Sequence, residues 1–176
     1  IKKTLILLFC FPLLSYAQHS DRVLLIKKMY KETRSYEKEG DCKTISWLSI
    51  GDPMDDGLGR EVIKCLYPEG YSKIAFSFDI TYCAGAPSVS AEYYYKNDNL
   101  YFAYIVNEVG IEEDREEDKT RLYFRSDGEI EKLLVDYGEG NVEIKDINEI
   151  ERIKQPELEW LEKAKEALIH GKAKYF

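Results

Sequence analysis

Carboxylates are the reactive groups that this sequence offers in number: 33 Asp and Glu stand against 25 Lys and Arg and two His. Glycoside hydrolysis needs only two acids about 5–10 Å apart. Asp79 and Glu92, both at the less apolar positions of alternating segments, are the candidate pair for such a small carboxylate-based hydrolase. Nucleophilic catalysis of the Ser–His–acid or Cys–His kind needs an imidazole held by a rigid scaffold. His19 lies near the start of the chain, and His170 falls at the end of a helical pattern, where a cation complements the helix dipole. Neither position suits a catalytic base. No His-Glu-x-x-His and no Gly-rich phosphate loop after a strand pattern occur.

Asp52-Pro53-Met54-Asp55-Asp56-Gly57 has a hint of a calcium loop. An EF-hand loop needs oxygen ligands at its first, third and fifth positions and Glu at its twelfth. Met54 and Ile63 occupy the third and twelfth, so the segment reads as a turn. The run Glu112 to Asp118 reads as a solvated connection. No metal and no cofactor is expected.

Four cysteines occur, one of them, Cys10, in an N-terminal apolar run. Cys42, Cys65 and Cys83 match no zinc spacing. In an oxidising compartment two of these three form a disulfide. The expected pair is Cys42–Cys83, with Cys65 a buried thiol. If Leu66 faces Lys73 across a hairpin, Cys65 shares the core face with Ile74, while Cys83, at the far end of its strand, stays free to meet Cys42.

Fourteen tyrosines are the oddity of the composition. Strand alternation puts Tyr93, Tyr95 and Tyr104 on one face, and Tyr94, Tyr101, Ala103 and Ile105 on the other. Exposed there, Tyr94, Tyr101 and Ile105 would offer a surface for a sugar ring or a partner protein. Covered by a helix or loop, they would form a second core layer.

The elements that position these residues begin with a helix from about Asp21 to Glu39. Ser20 or Asp21 caps it and Gly40 closes it. Its stripe is Leu25, Ile26, Met29, Tyr30, Thr33 and Tyr36. Residues 41–59 show no clear period, and strands are read at about 60–66, 73–82, 89–96, 100–109, 120–125 and 130–136. Tyr67-Pro68-Glu69-Gly70 and Asn97-Asp98 mark tight turns. With Asn97 facing Leu100, Tyr95 faces Phe102, Tyr93 faces Tyr104 and Ala91 faces Val106. For the hairpin at Ser126-Asp127-Gly128, two registers fit. A closing helix has Pro156 in its first turn and stops at His170-Gly171, with Leu158, Leu161, Ala164, Lys165 and Leu168 inward and Trp160 and Ala167 at the margin. The expected class is α+β: an N-terminal helix, an antiparallel meander of about five strands, and a C-terminal helix packed on the sheet.

The N-terminus carries an address. Lys2 and Lys3 precede an apolar run from Leu5 to Leu14, and Ser15-Tyr16-Ala17 places small residues where a signal peptidase reads them. Residues 1–17 are expected to be a cleavable signal peptide and 18–176 a single domain. The run is too short to span a bilayer, which takes about 20 residues. Phe9 before Cys10 does not fit a lipoprotein signal. Without Lys2 and Lys3 the 25 basic residues fall to about 23 against 33 acidic, a net charge of about −10. Such a surface repels nucleic acid and anionic lipid.

The order of signal, helix, aromatic meander and closing helix resembles small secreted proteins of Gram-negative gut-type bacteria that have no assigned function. The segments Ala91-Glu92-Tyr93-Tyr94-Tyr95-Lys96-Asn97-Asp98-Asn99-Leu100-Tyr101-Phe102 and Thr120-Arg121-Leu122-Tyr123-Phe124 carry this resemblance. It implies an exported address, periplasmic or extracellular, and transfers no site residues. The expected role is a non-enzymatic binding protein of the cell envelope. It would recognise protein or glycan through a sheet face or an edge strand, inhibition of a secreted enzyme being one form. The rival is the hydrolase built on paired acids.

Overall fold

Side chains alternate along the strands, so the aromatics divide between two faces of one sheet, and each face receives its own helix. The computed structural model describes residues 21–49, 58–80, 85–110 and 116–170. Residues 1–17, expected from the sequence to be a signal peptide, lie outside these residues. Residues 21–35 form helix α1. The strands are β1 (Asp41–Ser49), β2 (Leu58–Leu66), β3 (Tyr71–Ile80), β4 (Gly85–Lys96), β5 (Asn99–Gly110), β6 (Glu116–Phe124), β7 (Ile130–Asp136) and β8 (Asn141–Ile144), and helix α2 (Ile147–His170) closes the described chain. Each strand pairs antiparallel with the next, giving one eight-stranded meander. The class is α+β, with eight strands where the sequence suggests about five. No described helix is long and apolar enough to cross a membrane.

One transverse row shows how the core is built. Across the sheet, Ile144, Leu133, Leu122, Ala103, Tyr93 and Ile74 stand opposite one another in turn. This row, with Val62, Phe76 and Ile105, lies under Leu161, Ala164 and Ala167 of α2. The Trp160 ring stacks on Phe76 at 5.4 Å. The other face gathers Tyr71, Tyr94, Tyr101, Phe102 and Tyr123 under Val23 and Ile26 of α1. Tyr93 and Tyr94 are neighbours in sequence and both 0% exposed, which only a sheet covered on both sides permits. Burying each such side chain contributes on the order of 1.5–3 kcal/mol.

The β4–β5 hairpin departs from the expected register in two steps. Asn97 and Asp98 both have positive φ, 50° and 62°, the mark of a two-residue type I′ turn. Lys96 therefore pairs with Asn99 and Tyr95 with Leu100. A bulge at Tyr101 follows, because Tyr94 pairs with Phe102. The extra residue reverses the alternation and sends Tyr101 and Phe102 to the same face. Tyr93 thus faces Ala103 and Ala91 faces Ile105. Tyr104 moves to the α1 face, and Ile105 to the α2 face. At the second hairpin the register is settled by Phe124 opposite Ile130 and Tyr123 opposite Lys132, with a one-residue shift between them.

The cysteine pairing is corrected by the same kind of shift. Leu66 faces Ser72 and Cys65 faces Lys73, so Cys65 lies on the face opposite Ile74. Cys42, directly across from it on β1, forms a disulfide with Cys65. Cys83 lies outside the described residues and is not the partner of Cys42.

Helix α2 starts nine residues before Pro156. Asp146 caps it, its Oδ1 accepting the backbone N–H groups of Asn148 and Glu149 at 3.0 Å each. Pro156 is inside the helix and leaves the Arg152 carbonyl without its helical donor. Lys165, expected inward, pairs with Glu162 at 2.7 Å instead.

Candidate functional site

The three residues expected to form a binding surface are neither exposed nor together. Tyr94 is 0% exposed, Tyr101 2% and Ile105 0%. Tyr94 and Tyr101 belong to the layer under α1 and Ile105 to the layer under α2. The Tyr30 ring packs edge-on against both Tyr94 and Phe102, with centroids 5.1 Å apart in each case. The Thr33 hydroxyl donates to the Met29 carbonyl at 3.0 Å, so Tyr101 donates to Thr33 at 2.9 Å. Helix α1 therefore closes the face on which stacking of a sugar ring was conceivable.

A polar network lies where α1 ends over the sheet. Lys73 on β3 reaches Glu92 on β4 at 2.8 Å and Glu37, just past α1, at 3.2 Å. Arg34 contacts Glu37 at 2.6 Å and Glu92 at 4.0 Å. The Tyr94 hydroxyl donates to the second Glu92 oxygen at 2.6 Å. Burial by itself raises the Glu92 carboxyl, but hydrogen bonds from Lys73 and Tyr94 and the charges of Lys73 and Arg34 outweigh it, and Glu92 is held below the ordinary carboxylate range. Burial lowers the Lys73 ammonium, and its acidic partners more than reverse this. At neutral pH the network is charged and closed, with no proton at Glu92 to donate.

The strand register holds the backbone positions of Glu92 and Asp79 apart. Glu92 stands opposite Ala75, and Asp79 lies four residues further along β3, about 13 Å away by strand rise. His19, the segment 52–57 and residues 112–115 lie outside the described residues, as does the side chain of His170. Among the described residues no three metal-ligating side chains converge.

Among the described residues several concavities open, three of them beside the network and the two helices. One of about 210 Å³ opens beside Glu92, over Ile63, Ala75 and Tyr104. A second, of about 360 Å³, lies along α1 between Lys27, Tyr30 and Arg121, with the Arg121 guanidinium 5.3 Å from the Tyr104 ring centre. The third, about 520 Å³, lies on the opposite side of the sheet beside the end of α2 and includes Lys43, Lys64 and Lys165. Sequence reasoning missed the network and the lysines. Lys73 could have been found from its place beside Ala75 and Ser77 on the polar face of β3, but Lys43 required recognising β1.

Fold and surface together define an α+β protein in which an eight-stranded antiparallel meander is enclosed by one helix on each face. Comparison with protein-family models, with curated proteins and with solved structures finds no match to this chain.

Proposed function

We propose that this is an exported protein of the cell envelope that acts by binding a partner polypeptide, which adds as a strand along the outer edge of β1. The observation that carries the reading is the edge itself. Both sheet faces are covered by helices, whereas β1 is nine residues long and pairs, among the described residues, with β2 alone. The Cα atoms of Cys42 and Cys65 are 4.1 Å apart, the narrow spacing of a non-hydrogen-bonded pair. The backbone N–H and C=O of Cys42, and by alternation of Thr44 and Ser46, therefore point away from β2. Main-chain bonds to such an edge provide affinity in β-strand addition.

The leader and the disulfide support export into an oxidising compartment. The closed ion network at Glu92 and the separation of Asp79 from it favour binding over a carboxylate hydrolase. Inhibition of a secreted enzyme is one form such binding takes.

Thr44→Pro tests the reading. It removes one outward N–H and leaves the β1–β2 ladder intact. The protein lacking residues 1–17 should capture a partner from envelope extract. Thr44→Pro should lose that partner while melting at a similar temperature. Equal capture by both proteins rejects the edge as the recognition surface.

A further inference from the structure

We infer that the 520 Å³ cavity beside the end of α2 binds a small amphiphilic carboxylate, its apolar body against Ile74, Tyr95 and Leu168 and its charge at Lys43 and Lys64. The site uses the Lys43 side chain on the α2 face rather than the outward backbone of β1, and it stands if the edge contact fails.

The transverse row that builds the core explains the chemistry. It runs apolar from Ile144 to Ile74 and then ends in two cations, because Ile74 stands opposite Lys64 and Lys64 opposite Lys43. Directly opposed like charges destabilise a sheet. Here neither lysine has an ion pair among the described residues, in a chain where acids outnumber bases 33 to 25. Lys165 lines the cavity from α2 with its stem, while its ammonium pairs with Glu162 at 2.7 Å. Asp98 is the one acid among the described lining residues.

The walls fit an apolar body. Ile74 is 6% exposed, Tyr95 is 8% exposed, and Ile169 at the mouth is 75% exposed. The Tyr95 hydroxyl is buried with no hydrogen-bond partner, a donor that the fold itself leaves unused. The volume falls within the range of about 300–1,000 Å³ common for small-molecule sites. The Lys43 and Lys64 ammonium groups beside an apolar wall fit one anionic head on a hydrocarbon or aryl body. A neutral lipid leaves the lysine pair uncompensated, and a small inorganic anion leaves the wall wet.

Decanoate is the probe, followed by displacement of a fluorescent anilinonaphthalene sulfonate or by calorimetry with the protein lacking residues 1–17. Decanoate should bind saturably, with decanol and acetate each weaker by about tenfold or more. Lys43→Gln/Lys64→Gln should weaken decanoate by about tenfold or more without lowering the melting temperature, because it relieves a like-charge pair. Absence of saturable decanoate binding overturns the inference, as does unchanged affinity in the double variant or equal affinity for decanol. Binding seen only in a chain ending at His170 would assign the cavity to residues 171–176, and this too overturns it.

Discussion

Lys73 Nζ lies 2.8 Å from Glu92 Oε1, on the neighbouring strand and two residues along from Tyr94, which stands opposite Lys73. The lysine side chain is 12% exposed and the glutamate 26%, so each charge depends on the other for what water no longer supplies. Removing one member of such a pair costs more than the pair itself contributes. Lys73→Met should therefore lower stability by about 2–3 kcal/mol at pH 7, read from urea unfolding. Because the folded-state value of Glu92 is depressed, its contribution is complete above the ordinary carboxylate value and is lost as pH falls below about 4.5. The gap between wild type and Lys73→Met should narrow over that acid range. A gap that stays constant down to pH 3 would show that the loss is one of packing rather than charge.

The Cys42–Cys65 bond closes a separation of 23 residues and fastens edge strand β1 to the sheet. In the chain-entropy account, a loop of this size contributes about 3 kcal/mol. Cys42→Ala should lower stability by an amount of that order. Proteolysis without reduction should give one linked peptide containing Cys42 and Cys65, with Cys83 open to alkylation. A linked Cys42–Cys83 peptide would contradict the pairing.

The parts of the fold legible in the sequence are those where burial is one-sided and strong. Strand β3 alternates cleanly because Ile74 and Phe76 face the core while Ser77 is exposed. Helix α1 shows its stripe because Ile26, Met29 and Tyr30 all press on aromatics. The edge strands were invisible for the converse reason. Residues 41–44 of β1 and 141–143 of β8 are exposed, and exposed strands carry no hydrophobic alternation to read. Of the expected binding surface, Tyr94 and Tyr101 keep their face and are covered by α1, whereas the bulge at Tyr101 costs one residue of register and moves Tyr104 and Ile105 to opposite faces. The start of α2 was misread because Pro156 favours a first turn, while the cap at Asp146 is followed by a charged stretch with few apolar residues.

Glu157 gives the fold a second pH dependence, of opposite sign. It sits partly buried on α2, where its backbone carbonyl accepts the Tyr93 hydroxyl at 2.8 Å, and its Oε2 is buried without a hydrogen-bond partner. Burial pushes its carboxyl up to about 7 from an ordinary 4.5. The unfolded chain therefore gives up this proton first as pH rises, and the folded state loses stability between about pH 4.5 and 7. The loss is at most about 3 kcal/mol at about 1.4 kcal/mol per unit, and less to the extent that water reaches the group. Glu157→Gln should raise the melting temperature at pH 8 and leave it unchanged at pH 4. The same increase at both pH values would show that ionisation is not the cause.

Two hairpin ends of the sheet are tied through Gly70, and this coupling can be measured. The Asn97 N–H donates to the Gly70 carbonyl at 2.8 Å, joining the β2–β3 turn to the β4–β5 turn. Gly70 has φ +75°, and a Cβ added there would press into the Asn97 side-chain oxygen. Gly138 has φ +89° with nothing within 4 Å of its added Cβ. Alanine at either position meets the left-handed backbone cost of about 1–2 kcal/mol, but only Gly70→Ala also strains the contact between the turns. Gly70→Ala should therefore destabilise the protein by about 1 kcal/mol more than Gly138→Ala in urea unfolding. Asn97→Gly in the Gly70→Ala background should recover part of that difference, because it removes the oxygen that is struck, tolerates the positive φ of position 97 and keeps the backbone bond. Equal losses at the two glycines would mean that the Asn97 side chain swings clear and that the turns are joined by the backbone bond alone.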